Sequence, residues 1–406
     1  MNILIINVDG NPQYIGGIKR ICVSLAKQWI QHGLTVCFVC VGDSEKKFNT
    51  VAGIPQVHLP EHTDILSEAN KSYLLQLVKE RNIDVLFNPF MDCKEVTRLC
   101  FEVSKSCHVK LLTAWHFSPA HFIDIVDNSF FIRYKNGNIL RRYLIDSYLW
   151  IKWKLWNRQK TLQTWSKYFD ECIKNSDAVV FLSNRFLPIV DRMVGYHSNK
   201  VLAINNPNSF EEGVTVDCIK KEKIVLWCGR LGYDMKRTDK MLSIWKRISS
   251  KHKDWKLVIC GSGNVDYFNN VCDKYHIENV AFLGFVNMED YYAKASILCN
   301  TSVTEGWGLV LVEAMQYGCV PVVFDSYASV HDIIDDDENG FIIPAFDEKE
   351  YARKQDLLMS EEDLRMRMAA KGRESTKRFE PNEIAQQWIE LFESLESKNL
   401  TLEDKL

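Results

Sequence analysis

The stretch 300–324, NTSVTEGWGLVLVEAMQYGCVPVVF, holds a strand end, a glycine turn, an apolar helix and a second strand within 25 residues. That order is a crossover unit of a parallel sheet. Leu309, Val310, Val312, Ala314 and Met315 suit a buried helix, and Gly318 stands where the helix stops before 320–324 resumes as a strand. The opening turn says more about chemistry than the helix does. Gly306 and Gly308 let backbone N–H groups approach a ligand at a helix N-terminus, where the dipole favours an anion, and phosphate is the natural guest. Glu305 and Glu313 stand eight residues apart, about 12 Å along a helix axis at ~1.5 Å per residue, far enough to straddle a nucleotide-sized ligand. The same pair also fits a plainer reading, with Glu305 a first-turn charge and Glu313 a satisfied polar residue on a half-buried helix.

The winding around this unit is repeated along the chain. Residues 2–8 read as a first buried strand, Gly16 and Gly17 open a helix that ends at Gly33, and 34–41 form the next strand. Further apolar strands are expected at 85–87, 109–114 and 178–182, with helices at 71–81 and 94–107 between them. After the charged, irregular segment 211–223 the pattern restarts at Ile224, with strands at 256–260, 280–283 and 296–300 and helices near 360–378 and 381–395. Each half is thus a doubly wound α/β domain.

Several residues sit where open α/β sheets gather ligands, just beyond the C-terminal strand ends. His116 follows the strand KLLTAW directly, and Arg230 and Lys236 lie in CGRLGYDMKRTDKM, after a strand and around the next helix start. Arginine binds phosphate oxygens bidentately and lysine acts as a point charge, although two solvated surface bases would look the same in sequence. His121 fits no motif.

Composition excludes several classes. A chain of 406 residues, 46% hydrophobic and 25% charged, is neither disordered nor fibrous, and a net charge of −3 argues against a nucleic-acid partner. No apolar run approaches the ~18 residues a spanning helix needs, and MNILIINVDG enters a strand without a basic flank, so a cytoplasmic location is expected. The C-x-x-C of Cys37 and Cys40 lies in a strand whose alternation sends the two thiols to opposite faces, and Cys93, Cys100 and Cys107 form a helix stripe; neither reads as a metal or redox site. The segment 129–167 carries nine Lys or Arg against one acid, with Trp150, Trp153, Trp156 and Trp165 interleaved. It reads either as a surface helix whose tryptophans pack on the domain or as a peripheral contact with the inner face of the cytoplasmic membrane.

Glu305, seven intervening residues and Glu313, together with the glycines, the hydrophobic helix and the Gly-x-x-Pro-Val-Val exit, resemble the E-x7-E signature of retaining glycosyltransferases, in particular family 4 with its GT-B fold. The resemblance implies two Rossmann-like domains facing a cleft: residues 1–204 binding the acceptor, a linker at 205–222, residues 223–380 binding a nucleotide sugar, and a helix at 381–406 crossing back to the first domain. It implies catalytic or diphosphate-binding roles for Glu305, His116, Arg230 and Lys236, with Arg237 and Lys240 as competing candidates beside Lys236. Donor contacts are implied for Gly16 and Gly17, for the turn Gly306, Trp307, Gly308 and Leu309, and for Glu313 at the ribose. CGSGN at 260–264 and FLGFVN at 282–287 match turns that border the base. Asp335, Asp336 and Asp337 mimic the D-x-D of metal-dependent glycosyltransferases but read as an exposed turn, so neither metal nor cofactor is expected.

The activity implied is transfer from a nucleotide diphosphate sugar, UDP before GDP, to a glycan or lipid-linked glycan acceptor in bacterial surface polysaccharide assembly. A nucleotide-sugar epimerase or phosphorylase of the same fold is one rival, and a non-catalytic nucleotide or sugar binding protein is another.

Overall fold

The computed structural model describes residues 1–8, 16–42, 48–129, 147–148, 150–209 and 221–403. The chain divides into two compact units, one made of 1–119, 164–209 and 379–406, the other of 120–163 and 210–378.

The first unit is built on eight strands: β1 (Asn2–Asn7), β2 (Thr35–Cys40), β3 (Thr50–Val51), β4 (Ile54–His58), β5 (Val85–Asn88), β6 (Lys110–Trp115), β7 (Ala178–Phe181) and β8 (Val201–Ala203). Their order is β3-β4-β2-β1-β5-β6-β7-β8, parallel throughout except for the β3–β4 hairpin. Ile3, Leu4, Ile5 and Ile6 of β1 are all buried, as a parallel strand covered by helices on both faces requires. The hairpin was not expected from the sequence. Its two-residue turn puts Ala52 and Gly53 at positive φ, and Pro55 sits in the strand that follows.

The last helix, Pro381–Glu403, belongs to this unit and packs on the first helix, Gly17–Gln31. Trp29 meets Phe392 edge-on at 5.1 Å and Trp388 at 6.2 Å, and Phe87 of β5 lies 4.9 Å from Trp388. This aromatic cluster ties the end of the chain to its beginning.

The second unit contains β9 (Ile224–Cys228), β10 (Lys256–Cys260), β11 (Val280–Gly284), β12 (Ile297–Asn300), β13 (Val320–Asp325) and β14 (Phe341–Pro344). The order β11-β10-β9-β12-β13-β14 is all parallel. Counted from its own first strand this is the 3-2-1-4-5-6 order of a dinucleotide-binding sheet, whose direction of winding reverses between β9 and β12. Trp227, Leu257, Ile259 and Phe324 of the strands share one buried core with Trp245 of the helix Thr238–Ile248.

Much of the basic, tryptophan-rich segment, residues 130–146 and 149, lies outside the described residues, as does 9–15 before Gly16. In the described remainder the tryptophans differ. Trp165 packs against Trp115 at 5.5 Å with the Lys94 ammonium 4.6 Å above its ring, and Trp153 is buried and donates to Asp127. Trp156 is 63% exposed. The cysteines of the described residues form no disulfide.

Candidate active site

The reversal point of the second sheet puts two loops side by side, 229–237 after β9 and 301–308 after β12. Backbone and hydroxyl bonds lock them together. Trp227 donates through Nε1 to the Thr301 hydroxyl at 2.9 Å, and that hydroxyl is shared between the carbonyls of Lys236 at 2.9 Å and Arg237 at 3.1 Å. The amide of Val303 donates to Met235 at 2.7 Å. Trp227, Thr301, Val303 and Arg237 are buried, so the loops have few alternative arrangements.

The result is an ion pair between Lys236 and Glu305, whose carboxylate also accepts the Ser302 hydroxyl at 2.6 Å. Burial alone would raise the Glu305 pKa, but the Lys236 charge and the hydrogen bonds from Lys236, Ser302 and Asn300 outweigh it and hold the carboxyl below its ordinary value. Sequence named Lys236 with Arg237 and Lys240 as competitors, and could not say which of the three meets Glu305. The fold does: Arg237 is buried and holds Asp239 with two bonds of 2.9 and 3.1 Å, and Lys240 pairs with Glu348, 108 residues away. Arg230 is exposed, and no ion pair or hydrogen bond among the described residues engages it.

Gly308 caps the helix Leu309–Gln316 at φ 92°, a left-handed conformation that glycine adopts without strain. Because the helix starts there, Glu305 lies in the turn before it and only part of the eight-residue spacing to Glu313 is helical, so the 12 Å expected along a helix axis does not apply. Glu313 is 2% exposed and accepts the Tyr292 hydroxyl at 2.9 Å. Gly306 and Trp307 are buried and Leu309 is half-buried. Gly261 and Gly263, in the turn after β10, touch the β9 loop so closely that a Cβ on Gly261 would stand 1.9 Å from the Gly229 carbonyl oxygen. The triple aspartate is a turn: Asp336 accepts the amides of Asp337 and Ile342, and Asp337 pairs with Lys354.

In the first unit, Gly16 is the N-cap of the helix Gly17–Gln31. His116 follows β6, and both its ring nitrogens are buried without a hydrogen-bond partner among the described residues. Burial pushes its pKa down to about 4, leaving a neutral imidazole at pH 7. His121, which sequence reasoning passed over, belongs to the second unit, is 6% exposed, and is likewise pushed down to about 4 by burial, with the Glu305 charge working the other way. Only the fold brings it within reach of that carboxylate.

The two histidines set a pH dependence. Their folded pKa values lie below the unfolded value near 6.5, so the unfolded chain binds the extra protons and stability is lost as pH falls from 6.5 toward 4. Each contributes a loss of about 2 kcal/mol between pH 7 and pH 5. Glu305, whose pKa is depressed, adds a further loss only below its ordinary value near ~4.3. Melting curves from pH 7 to pH 5 should fall steeply for the wild type and less steeply for His116→Gln or His121→Gln.

Two doubly wound α/β sheets, the second in the 3-2-1-4-5-6 order, are the architecture of the GT-B fold. Comparison with known proteins agrees. Residues 216–375 match the family described as glycosyl transferases group 1. The chain is similar to an uncharacterized glycosyltransferase of Haemophilus influenzae, 24% identical over 377 residues, covering 92% of this chain and 95% of that protein. It is 28% identical over 194 residues, 47% of this chain and 54% of the relative, to the GalNAc-alpha-(1->4)-GalNAc-alpha-(1->3)-diNAcBac-PP-undecaprenol alpha-1,4-N-acetyl-D-galactosaminyltransferase of Campylobacter jejuni. Among solved structures, Anabaena Alr3699/HepE in complex with UDP and glucose superposes with a TM-score of 0.71 at 16% identity, covering 97% of this chain and 100% of that one. The fold is GT-B, and these likenesses support glycosyl transfer as the activity.

Proposed function

We propose that this chain is a retaining, metal-independent glycosyltransferase of the family 4 type that moves a sugar from a UDP-sugar to a lipid-linked glycan. The observation that carries the reading is the Lys236–Glu305 pair beside the Gly308-capped helix, at the reversal point of a dinucleotide-type sheet. As the glycosidic bond breaks, the leaving diphosphate gains negative charge, and fixed cations and aligned N–H groups stabilise it most. In this reading Lys236, Arg230 and the amides from Gly306 onward supply that charge, with Trp307 and Leu309 shaping the turn. Glu313 takes the ribose, Gly16 and Gly17 contribute backbone donors, and neutral His116 bonds to the sugar. The second unit holds the donor, and the first is assigned the acceptor.

Glu305, ionised and tied to Lys236 and Ser302, is a poor nucleophile and a good orienting group. We therefore favour reaction on one face, the acceptor hydroxyl attacking C1 while its proton passes to the departing phosphate oxygen. UDP is supported by the solved neighbour that holds it, and a lipid-linked acceptor by the Campylobacter relative's undecaprenol diphosphate substrate. Membrane contact is supported by exposed Tyr148, Ile151, Leu155 and Trp156 interspersed with Lys152, Lys154 and Lys160, a composition suited to an anionic interface.

The test is product analysis with a panel of UDP-sugars and undecaprenyl diphosphate glycans in EDTA. The reading expects an acceptor-dependent product whose anomeric configuration matches the donor. Inversion, a requirement for divalent metal, or conversion of the sugar nucleotide without acceptor would each refute part of it, the last in favour of an epimerase.

A further inference from the structure

Among the described residues, the buried tyrosines of the second unit follow a rule with one exception. Tyr292 donates to Glu313, Tyr317 to Glu289, and Tyr351 to the Val322 carbonyl. Tyr327, 5% exposed, has a hydroxyl with no hydrogen-bond partner among the described residues. An unpartnered buried hydroxyl is destabilising, so its retention calls for a ligand.

Its position says which. Tyr327 lies in the loop after β13, and the neighbouring Ser326 donates at 2.6 Å to the carbonyl of Ser302, the residue whose own hydroxyl bonds Glu305. The Tyr327 hydroxyl lies against Gly308, since a Cβ placed there would be 3.3 Å from it. It therefore stands at the start of the helix Leu309–Gln316 and on the side of Glu305, whose charge joins burial in raising its pKa well above the ordinary value. The group is a fixed, neutral donor. A phosphate oxygen can only accept, whereas a sugar hydroxyl can accept from the tyrosine and donate to the carboxylate at once.

We propose that the Tyr327 hydroxyl is a sugar-recognising donor, bonding a hydroxyl of the transferred sugar at the Gly308 end of the site. The proposal rests on the nucleotide-sugar reading above and adds the group that senses the sugar rather than the diphosphate. Glycine at 308 is then required partly because any side chain would crowd this hydroxyl.

Tyr327→Phe removes only the oxygen. Calorimetry on wild type and Tyr327→Phe, with UDP alone and with UDP-glucose, UDP-galactose and their N-acetylamino counterparts, separates the outcomes. The expected result is an unchanged or raised melting temperature, unchanged UDP affinity, and a loss of about three- to tenfold for the preferred UDP-sugar, the scale of one neutral hydrogen bond. Equal affinity of the two proteins for that UDP-sugar overturns the assignment. So does an equal loss for UDP and UDP-sugar, which would place the hydroxyl in the support of the nucleotide site. A wild type that binds UDP and none of the sugars more tightly also counts against it. A wild type that binds neither UDP nor any UDP-sugar overturns the nucleotide-sugar reading itself.

Discussion

Lys236→Met is expected to lower kcat/KM by about a hundred- to a thousandfold, the range seen when one group stabilising developing charge is removed from a dry site. The residue stands on the loop after β9 against Glu305, fixed by the shared Thr301 hydroxyl, so its ammonium needs little reorganisation as charge builds on a leaving phosphate. Its loss also acts on Glu305, since burial would then push that carboxyl up with only Ser302 and Asn300 opposing. The pH profile of the variant should accordingly rise with a higher apparent acid limb than that of the wild type. Lys240→Met is the matched control. It breaks the ion pair with Glu348 and costs some stability, but leaves turnover within about threefold, because Lys240 is paired with Glu348 at the start of the helix Glu348–Ser360 and not with Glu305. Steady-state rates on both variants decide the point, and equal effects would mean that general charge, not position, matters.

Gly261→Ala is expected to cost about 2–4 kcal/mol and to abolish nucleotide binding together with it. Gly261 has φ 137°, outside the region open to alanine, and an added Cβ would stand 1.9 Å from a backbone oxygen that has no flexible end to swing away. That oxygen belongs to Gly229, the residue before Arg230, so relief of the clash must move the loop that carries both Arg230 and Lys236. Gly284→Ala separates strain from contact. It too has a left-handed φ, 68°, but nothing within 4 Å, and should cost about 1 kcal/mol with nucleotide affinity retained. Thermal melts and UDP titration of the two variants check the pair of expectations.

Sequence was most informative where local pattern and global fold demand the same thing. The 300–324 unit could be read because its strand, turn and helix each have their own period, and Gly306 and Gly308 mark the turn. The strand order, and with it the reversal between β9 and β12, was not read from the sequence, because which strands pair leaves no local pattern. What could not be read was set by contacts distant in sequence. Lys236, Arg237 and Lys240 are alike as residues, and only the partners Glu305, Asp239 and Glu348 assign them. His121 and Tyr327 carry no motif, since a histidine or tyrosine near a carboxylate 184 or 22 positions away leaves no local trace. The β3–β4 hairpin was hidden for a different reason. Its turn places alanine at positive φ, where asparagine would have announced it, and Pro55 looks like a strand breaker but sits where a short edge hairpin tolerates it.

In the function proposed above, the loops after β9 and β12 form the seat of a nucleotide diphosphate. A crystal structure of the chain soaked with UDP tests it most directly. Phosphate oxygens are expected within hydrogen-bonding distance of Lys236 Nζ, the Arg230 guanidinium and the amides at Gly306 to Gly308. UDP bound instead in the cleft lined by Tyr233, Lys246, Tyr267 and Tyr275, which none of Arg230, Lys236, Glu305 or Glu313 lines, would contradict it.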